Sequence, residues 1–206
     1  MPRGRLITIE GGEGAGKSTQ ARLLAAALAE GGHAVLRTRE PGGTPGAEAL
    51  RTLLLSGYIA WSLPAETLLH FAARADHVAK VIRPALEAGQ WVVCDRFTDS
   101  TMVYQGYGQS GDRAAIAALS AMLGLVPDLT LILDVSVAVS LARLATRAEA
   151  ADRYERLGAA FFARIRDGFR AVAAADPARC VRIDAEQPEP LVAAAIWDSV
   201  RARLAA

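Results

Sequence analysis

The stretch EGGEGAGKST at residues 10–19 brings glycines, a lysine and hydroxyl groups together at a spacing that suits phosphate binding. From Gly11 to Ser18 it matches the pattern G-x-x-x-x-G-K-[ST], between a short apolar run and a helical pattern. Glycines allow backbone N–H groups to face phosphate oxygens, and a helix N-terminus adds partial positive charge. We therefore expect Lys17 to bind the β- and γ-phosphates of ATP and Ser18 to reach a Mg²⁺ ion. The full set expected at the triphosphate is Gly11, Gly12, Glu13, Gly14, Ala15, Gly16, Lys17, Ser18 and Thr19.

A triphosphate loop alone does not identify the group that receives the γ-phosphoryl. Transfer to water would indicate an ATPase or a switch, whereas transfer to a small acceptor would indicate a kinase. The stretch CDRFTDSTMVYQG at residues 94–106 bears on this choice. Asp95 ends an apolar run, where an open parallel sheet presents its ligands, so its carboxylate is expected near Mg²⁺. Arg96 follows with a planar group that suits two-point contact with a phosphate.

Four polar residues follow this arginine at a spacing of three to four, so on a helix they share one face. They are Ser100, Thr101, Tyr104 and Gln105. Two hydroxyls, a phenol and an amide make a poor apolar core and a suitable wall for recognising a nucleobase. A solvated helix face is the alternative interpretation.

Arg74 is the only charge between Glu66 and Asp76 in an otherwise apolar helical pattern. Arginine is rarely buried without a partner. One interpretation is a structural ion pair with Asp76 or Asp99. The other is that Arg74 and Arg96 clamp a single monophosphate from two sides.

Five apolar runs are predicted to be the strands that position these residues, because uninterrupted apolar runs are typical of a parallel sheet covered on both faces. Helical patterns separate them, so we expect a doubly wound α/β fold with helices on both faces of a five-stranded parallel sheet. No linker or repeat interrupts the pattern, which indicates one domain over residues 1–206. Pro84 is expected to kink or divide a long helical pattern. The runs are RLITIE (5–10), AVLRTRE (34–40), WVVCD (91–95), LTLILD (129–134) and CVRID (180–184).

The composition argues against several classes of partner. A net charge of +1 gives no general attraction to nucleic acid or membranes. The N-terminal MPRGRL lacks the pattern of a signal peptide, and the apolar stretches are broken before a membrane-spanning length. Cys94 and Cys180 lie far apart in valine-rich runs, which is typical of buried cysteines in a reducing compartment. We expect a cytoplasmic protein that acts on small molecules.

Several of these stretches together resemble the bacterial thymidylate kinases, a family of P-loop nucleoside monophosphate kinases. The resemblance spans nearly the whole chain, and REPGG combined with DRF…S…YQG is far more specific than the phosphate loop. It implies reversible transfer of the ATP γ-phosphoryl to dTMP, giving dTDP and ADP with Mg²⁺, in a homodimer with a mobile helical lid. The stretches that carry it are IEGGEGAGKST (9–19), REPGGTPGAE (39–48), FAARADH (71–77), DRFTDSTMVYQG (95–106) and DRYER (152–156).

By matching position, the resemblance assigns roles on the acceptor side. It implies that Arg74 and Arg96 bind the dTMP phosphate and that Glu13 lies near the sugar 3′-hydroxyl. Tyr104 would lie beneath the deoxyribose and crowd a 2′-hydroxyl. The expected catalytic set is Lys17, Arg96 and Glu13 together with a lid arginine. The other residues implied at the acceptor are Glu40 and Pro41 at its border and Ser100, Thr101 and Gln105 facing thymine.

Residues 143–156 are expected to form the lid. The phosphate loop has no arginine where some relatives carry one, yet phosphoryl transfer needs cations to offset charge on the transferred group. Arg153, and next Arg147, are the arginines expected to reach ATP, with Arg143 a further possibility. On spacing alone, the segment also fits a solvated helix with ion pairs between successive turns.

One position departs from the family pattern. Relatives carry a base-stacking phenylalanine four residues before the helix arginine, where this chain has His70, with Phe71 next to it. Adjacent helical residues point about 100° apart, so the two cannot face the base equally. Helical spacing favours His70, which shares a face with Arg74. The larger apolar area favours Phe71. We expect His70 to stack, with Phe71 close to the pocket.

Two other functions remain open at this point. A kinase of the same fold could use another acceptor, such as a deoxynucleoside or a guanylate, although two arginines suit a phosphorylated acceptor. An ATPase or switch would hydrolyse ATP without an acceptor. It would need a residue that orients water, and the sequence offers no candidate for that role.

Overall fold

Five parallel strands form one sheet in the computed structural model, which describes residues 3–146 and 154–204. The strands are β1 (Leu6–Gly11), β2 (Val35–Arg39), β3 (Trp91–Asp95), β4 (Leu129–Asp134) and β5 (Cys180–Asp184). Their order is β2-β3-β1-β4-β5, and every neighbouring pair is parallel. The predicted parallel sheet is therefore confirmed, and each predicted run contains its strand to within one residue.

The burial of each strand follows from its place in the sheet. The central strands β1 and β4 are buried almost throughout, as their continuous apolar runs LITIEG and LTLILD require. The edge strands β2 and β5 are half-buried, and each carries an arginine, Arg37 and Arg182, at an exposed or partly exposed position. A charge on an edge strand also discourages pairing with another sheet.

Helices alternate with the strands and cover both faces. They are α1 (Lys17–Glu30), α2 (Pro45–Leu55), α3 (Leu63–His77), α4 (Arg83–Glu87), α5 (Thr98–Thr101), α6 (Arg113–Met122), α7 (Val137–Ala145), α8 (Gly158–Ala175) and α9 (Glu189–Leu204). Segments Val78–Ile82 and Met102–Gly108 are wound as π-helix, and Glu155–Leu157 forms a short 3₁₀ turn. In the described part of the chain, no helix combines the length and apolar character needed to cross a membrane.

Alternating residues of β1 show how the two faces are filled. Ile7 packs in a cluster with Leu24 of α1 and Ile196 of α9. Leu6 points to the other face and packs with Ile82, in the long helical segment before β3. Buried apolar side chains of this size each contribute about 1.5–3 kcal/mol, so both layers stabilise the sheet.

The expected effect of Pro84 is visible as a change of winding. The helix runs as α3 to His77, loosens to π-type winding over Val78–Ile82, and returns to α-helix from Arg83. Proline cannot donate the usual hydrogen bond, and its ring clashes with the carbonyl four residues earlier, which the wider turn relieves. The long pattern is therefore divided, as predicted, just before the proline.

Candidate active site

A cleft of about 660 Å³ opens at the carboxyl ends of β1, β2 and β3. An open parallel sheet presents its ligands at this edge. The cleft brings together residues that were predicted from separate stretches of sequence. Those that line it are Glu13, Gly14, Gly16, Lys17, Ser18, Thr19, Glu40, Pro41, His70, Arg74, Asp95, Arg96, Ser100, Thr101, Tyr104 and Gln105. Outside its lining lie Gly11, Gly12, Ala15 and Phe71.

The donor end of the cleft is the loop between β1 and α1. Gly16 precedes the helix with a φ of 87°, a left-handed conformation that suits glycine. Lys17 is buried, and its Nζ donates to the carbonyl of Gly12 at 2.6 Å. Burial lowers the pKa of the Lys17 ammonium, and the nearby charge of Arg96 lowers it further. The loop therefore folds around its own lysine, as a phosphate cradle requires.

Ser18 and Asp95 meet at the same end of the cleft, although they are far apart in sequence. Ser18 Oγ donates to Asp95 Oδ2 at 2.5 Å. Ser18 lies in the first turn of α1, the helix that follows β1, and Asp95 ends β3, the strand that pairs with β1 in the sheet. A hydroxyl and a carboxylate are hard oxygen ligands of the kind Mg²⁺ prefers. The predicted metal-binding pair therefore has a donor set that fits the ion.

Arg96 connects the phosphate loop to the acceptor side. It follows β3 with a φ of 68°, an uncommon left-handed conformation for a non-glycine residue. Its Nη2 donates to Glu13 Oε1 at 2.5 Å, and its Nη1 donates to Gly11 O and Ser100 Oγ, each at 3.2 Å. Burial disfavours its charge, but the adjacent Glu13 carboxylate raises the pKa of Arg96 well above its usual value. The guanidinium is thus charged and is bonded both to the phosphate loop and to the acceptor side of the cleft.

Tyr104 closes this arrangement. Its hydroxyl donates to Glu13 Oε1 at 2.9 Å, and the Arg96 guanidinium lies 4.9 Å from its ring centre. Burial raises the pKa of Tyr104 well above its usual value, so the phenol keeps its proton and remains a donor. Glu13 therefore joins the phosphate loop to two residues of the acceptor wall.

The buried partner of Arg74 differs from both partners that the sequence suggested. Arg74 Nε donates to Glu40 Oε2 at 2.5 Å, and its other nitrogens donate to Thr101 Oγ1 at 3.1 Å and Phe97 O at 2.9 Å. Asp76 instead bonds Thr44 and Lys80, and Asp99 bonds Arg179. The suggestion of an ion pair with Asp76 or Asp99 was wrong, because the turn after β2 brings Glu40 over the helix. Arg74 still lines the cleft.

The predicted base wall is polar and internally bonded. Ser100 and Thr101 belong to α5, while Tyr104 and Gln105 lie in the π-helical segment, yet all four line the cleft. Gln105 Nε2 donates to Glu66 Oε1 at 2.8 Å and to Tyr154 Oη at 3.0 Å. With its nitrogen engaged there, Gln105 can offer its carbonyl to a ligand.

His70 and Phe71 lie on different sides of this wall. His70 lines the cleft, and its Nε2 is 3.0 Å from the hydroxyl of Tyr154. Phe71 is buried behind it, with its ring centre 5.0 Å from the Arg74 guanidinium. The placement agrees with the helical spacing argument for His70 rather than with the argument from apolar area.

Glu10 is a buried carboxylate that was not predicted from the sequence, and it hydrogen-bonds residues at the start of the acceptor wall. Glu10 is fully buried and accepts from the backbone N–H groups of Phe97 and Ser100 at 2.7 and 3.2 Å. It also accepts from Ser100 Oγ at 2.5 Å. Burial raises the pKa of Glu10 to about 7, with a further contribution from Asp99. A charge at the end of an apolar run was the signal that could have identified it.

Other lining residues carried no separate signal. Arg51 donates to Pro41 O at 2.9 Å and so fixes the turn that borders the cleft. Tyr154 lay within a quoted stretch, but its contact with the base wall depends on the fold. The lining residues without a predicted role are Arg39, Arg51, Leu55 and Tyr154.

The predicted lid falls partly outside the described residues. Arg143 donates to Gly14 O at 3.3 Å and to Ala185 O at 2.9 Å, so it lies beside the phosphate loop. Arg147 and Arg153, the arginines expected to reach ATP, are outside the residues that the structure describes. Their role stays a prediction.

Comparisons with known proteins agree with this geometry. The sequence profile of the thymidylate kinase family matches residues 9–196. Proteins named thymidylate kinase from Gluconobacter oxydans and Caulobacter vibrioides are 54% and 52% identical to the chain. These alignments cover 98% and 99% of this chain and 96% and 99% of those proteins. The crystal structure of a thymidylate kinase from Ehrlichia chaffeensis is similar with a TM-score of 0.80 and 35% identity, over 97% of this chain and 100% of that one.

Proposed function

The chain belongs to the thymidylate kinase family and phosphorylates dTMP to dTDP with ATP, and we propose that Lys17 serves the donor and Arg96 the acceptor in this transfer. The observation that carries the assignment is the Arg96 guanidinium, which bonds Glu13 of the phosphate loop and Ser100 of the acceptor wall at once. One side chain thereby contacts both halves of the cleft. The question left by the phosphate loop is answered: the acceptor is a nucleotide and not water.

The proposed chemistry is an in-line displacement. An oxygen of the dTMP phosphate forms a bond to the γ-phosphorus, the bond to the β,γ-bridging oxygen breaks, and ADP leaves with that oxygen. The acceptor is already an anion, so no strong general base is needed. Lys17 and Arg96 offset negative charge while the cleft aligns the two anions, which otherwise repel each other.

Ser18 and Asp95 would hold Mg²⁺ in this proposal. Their oxygens are already 2.5 Å apart, and both face the donor end of the cleft. When bound, the ion neutralises charge on the β- and γ-phosphate oxygens. The chain's own contribution is to keep a hydroxyl and a carboxylate together at the start of α1.

The acceptor wall is proposed to recognise deoxyribose and thymine. Thr101 and Gln105 would bond the base, and His70 would stack on it, since all three line the cleft. Tyr104 would lie beneath the sugar, where its ring leaves little room for a 2′-hydroxyl. Glu13 would approach the 3′-hydroxyl, while Glu40 and Pro41 would border the site.

Arg74 is proposed to contact the acceptor as the second arginine. Only 3% of its side chain is exposed, against 17% for Arg96, so its contribution to a phosphate is expected to be smaller than that of Arg96. Arg153, or Arg147, is proposed as the lid arginine that offsets charge on the transferred group. These assignments follow from the family resemblance.

We also propose a cytoplasmic homodimer. The helices α3 and α6 pack together and expose the apolar side chains of Leu68 and Met122, which suits a surface that meets a second copy. The buried thiols of Cys94 and Cys180 suit a reducing compartment. Light scattering of the purified protein would test the dimer, and a monomer at micromolar concentration would contradict it.

A panel of acceptors tests the function. ADP release is measured by a coupled assay that contains ATP and Mg²⁺. The acceptors compared are dTMP, dUMP, dGMP, thymidine and the ribonucleotide ribothymidine monophosphate, with one assay that has no acceptor. The proposal expects rapid turnover with dTMP, much slower turnover with the ribonucleotide, and negligible ADP release without an acceptor. Preferential use of thymidine or a guanylate, or rapid ADP release without an acceptor, would contradict it.

A further inference from the structure

His77, the last residue of α3, is fully buried and has a partner at each ring nitrogen. Its Nδ1 lies 3.0 Å from Glu40 Oε1, and its Nε2 lies 2.8 Å from Thr38 Oγ1. An ionised carboxylate can only accept, so Nδ1 donates to Glu40. Thr38 belongs to β2 and Glu40 follows that strand. One imidazole therefore ties the end of the helix to the end of the strand.

The same carboxylate holds Arg74. Glu40 Oε2 accepts from Arg74 Nε at 2.5 Å, while Oε1 accepts from His77. Arg74 and His77 are three residues apart on α3, so they lie on one face of the helix. Glu40 is thus held between them, and it fixes the position of the Arg74 guanidinium, which donates to Thr101 in the cleft.

The chain packs around the His77 ring in a second, independent way. Gly43 has a φ of +89°, and a Cβ built on it would lie 2.3 Å from His77 Nε2. The next residue, Thr44, donates to Asp76 Oδ2 at 2.5 Å, which fixes the same turn to the same helix. The turn after Glu40 therefore leaves space for the imidazole, and that ring excludes any side chain at position 43.

The donor atoms of Glu40, His77 and Cys94 lie within 4.8 Å of one another, which resembles a metal-ligand set. Their hydrogen bonds argue against that use. Arg74 and Thr38 already engage Glu40 and His77, and the Cys94 thiol donates to Arg96 O at 3.1 Å. Burial raises the pKa of Cys94 well above its usual value, which disfavours the thiolate that a metal needs.

We propose that His77 is a positioning residue for dTMP, which holds Glu40 against Arg74 and so fixes a guanidinium of the acceptor cleft. The inference rests on the proposed role of this half of the cleft in binding dTMP. His77 does not line the cleft, so it acts through Glu40 rather than by touching the nucleotide.

Two substitutions separate the functions of the two ring nitrogens. His77→Asn can keep a donor near the Nδ1 position and loses the bond to Thr38. His77→Gln reaches toward the Nε2 position and loses the bond to Glu40. Thr38→Val is the matched control, because it removes the Thr38 bond and leaves the imidazole in place. For each variant we would measure the KM for dTMP, the KM for ATP and the melting temperature.

His77→Gln is expected to raise the dTMP KM on the order of tenfold, the factor for a buried acceptor that loses one hydrogen bond. The ATP KM should stay close to that of the parent. His77→Asn and Thr38→Val should keep a nearly normal dTMP KM, even if their melting temperatures fall as far as that of His77→Gln. Turnover of dTMP by the parent is measured first, since its absence would refute the proposed function and not the role of His77.

Three results would overturn the inference in a parent that turns over dTMP. The two histidine variants could have equal dTMP KM values, or the KM values for both substrates could rise in step with lost stability. Zn²⁺ could also raise the melting temperature of the parent but not of His77→Asn, which would indicate a metal site.

A second test leaves all three histidines in place. The imidazole nitrogens of the three histidines can be followed by ¹⁵N NMR, with Thr38→Val identifying the His77 signals. Saturation with dTMP should shift His77 Nδ1, and a non-hydrolysable ATP analogue alone should leave it nearly unchanged. An Nδ1 signal that ignores bound dTMP would overturn the inference.

Discussion

The phosphate loop at the donor end of the cleft is one continuous stretch, whereas the acceptor half is assembled from segments far apart in sequence. Lys17 bonds a carbonyl of its own loop, five residues away. Arg96 depends on Glu13, and Arg74 depends on Glu40, across 83 and 34 residues of sequence. The phosphate loop thus follows from local chemistry and the acceptor half from tertiary packing.

The electrostatics of the two halves differ accordingly. The lysine has a backbone carbonyl as its closest partner, so its charge remains available to an anion. Each acceptor arginine is paired with a carboxylate at 2.5 Å. Removing such an arginine leaves a buried carboxylate without its partner, which adds a cost beyond the lost contact with substrate. Changes to the donor half should therefore lower turnover, and changes to the acceptor half should also disturb binding and packing.

Lys17→Ala is expected to have the largest effect. Its kcat should fall by about 10²–10³, the usual loss when one preorganised electrostatic contact to a transition state is removed. The fold should persist, because the hydrogen bond that Lys17 makes within the described residues is to its own loop. Steady-state kinetics and a melting curve would check both points. A kcat within a fewfold of the parent would contradict the proposed difference between the donor and acceptor halves.

Arg96→Ala should raise the dTMP KM on the order of 100-fold, since truncating one partner of a buried charge pair is costly. The ATP KM should change far less. Arg96→Lys is the matched variant: it keeps the charge but cannot bond Glu13, Gly11 and Ser100 together. Recovery of most of the loss by lysine would mean that charge alone suffices and that the bridging geometry is unimportant.

The raised pKa of Glu10, in the acceptor half, predicts that the stability of the protein depends on pH. Burial raises its pKa from 4.5 to about 7 in the folded protein. Between these values the folded state keeps a proton that the unfolded chain has released, so this group's contribution to stability falls as pH rises. Glu10→Gln cannot titrate there. The stability of the parent relative to this variant should fall by about 2 kcal/mol from about pH 5 to about pH 7.

Urea unfolding of the parent and of Glu10→Gln at several pH values would measure this difference. Groups common to both proteins cancel in the comparison. A difference that stays constant with pH would mean that Glu10 ionises normally and that its burial has no electrostatic consequence.

His70 and Phe71 give the most local contrast, and His70→Ala has the smallest expected effect on the kinetics. His70→Ala should raise the dTMP KM by a modest factor with little loss of stability, because the ring lines the cleft. Phe71→Ala should chiefly lower the melting temperature, since the buried ring would leave a cavity worth about 3–5 kcal/mol. The opposite pattern, with Phe71→Ala damaging the KM in a stable protein, would exchange their roles.

The sheet and the donor loop could be predicted because their signals are local. Uninterrupted apolar runs identified the strands, and the spacing of glycines, Lys17 and Ser18 identified the phosphate cradle. Ser18 and Asp95 could both be predicted near Mg²⁺ since Asp95 ends a strand and Ser18 ends the phosphate loop that follows another. Parallel strands present those ends at one edge, so sequence position translated directly into proximity.

The partners of the acceptor arginines could not be predicted in the same way. One of the two interpretations of Arg74 paired it with Asp76 on its own helix or with Asp99, because nothing in the sequence shows that the turn after β2 places Glu40 over α3. Glu10 looked like part of a strand, and its bonds to Phe97 and Ser100 exist only once β1 and β3 pair. Long-range pairing of this kind depends on the packed structure and leaves no spacing signal.

Separate calorimetric titrations of dTMP and of a non-hydrolysable ATP analogue test the central claim most directly. The claim is that one cleft holds two separable sites joined at the contact between Arg96 and Glu13. Lys17→Ala should weaken the ATP analogue and leave dTMP nearly unchanged, while Arg96→Ala should weaken dTMP and leave the analogue nearly unchanged. Equal loss of both ligands in either variant would contradict this account.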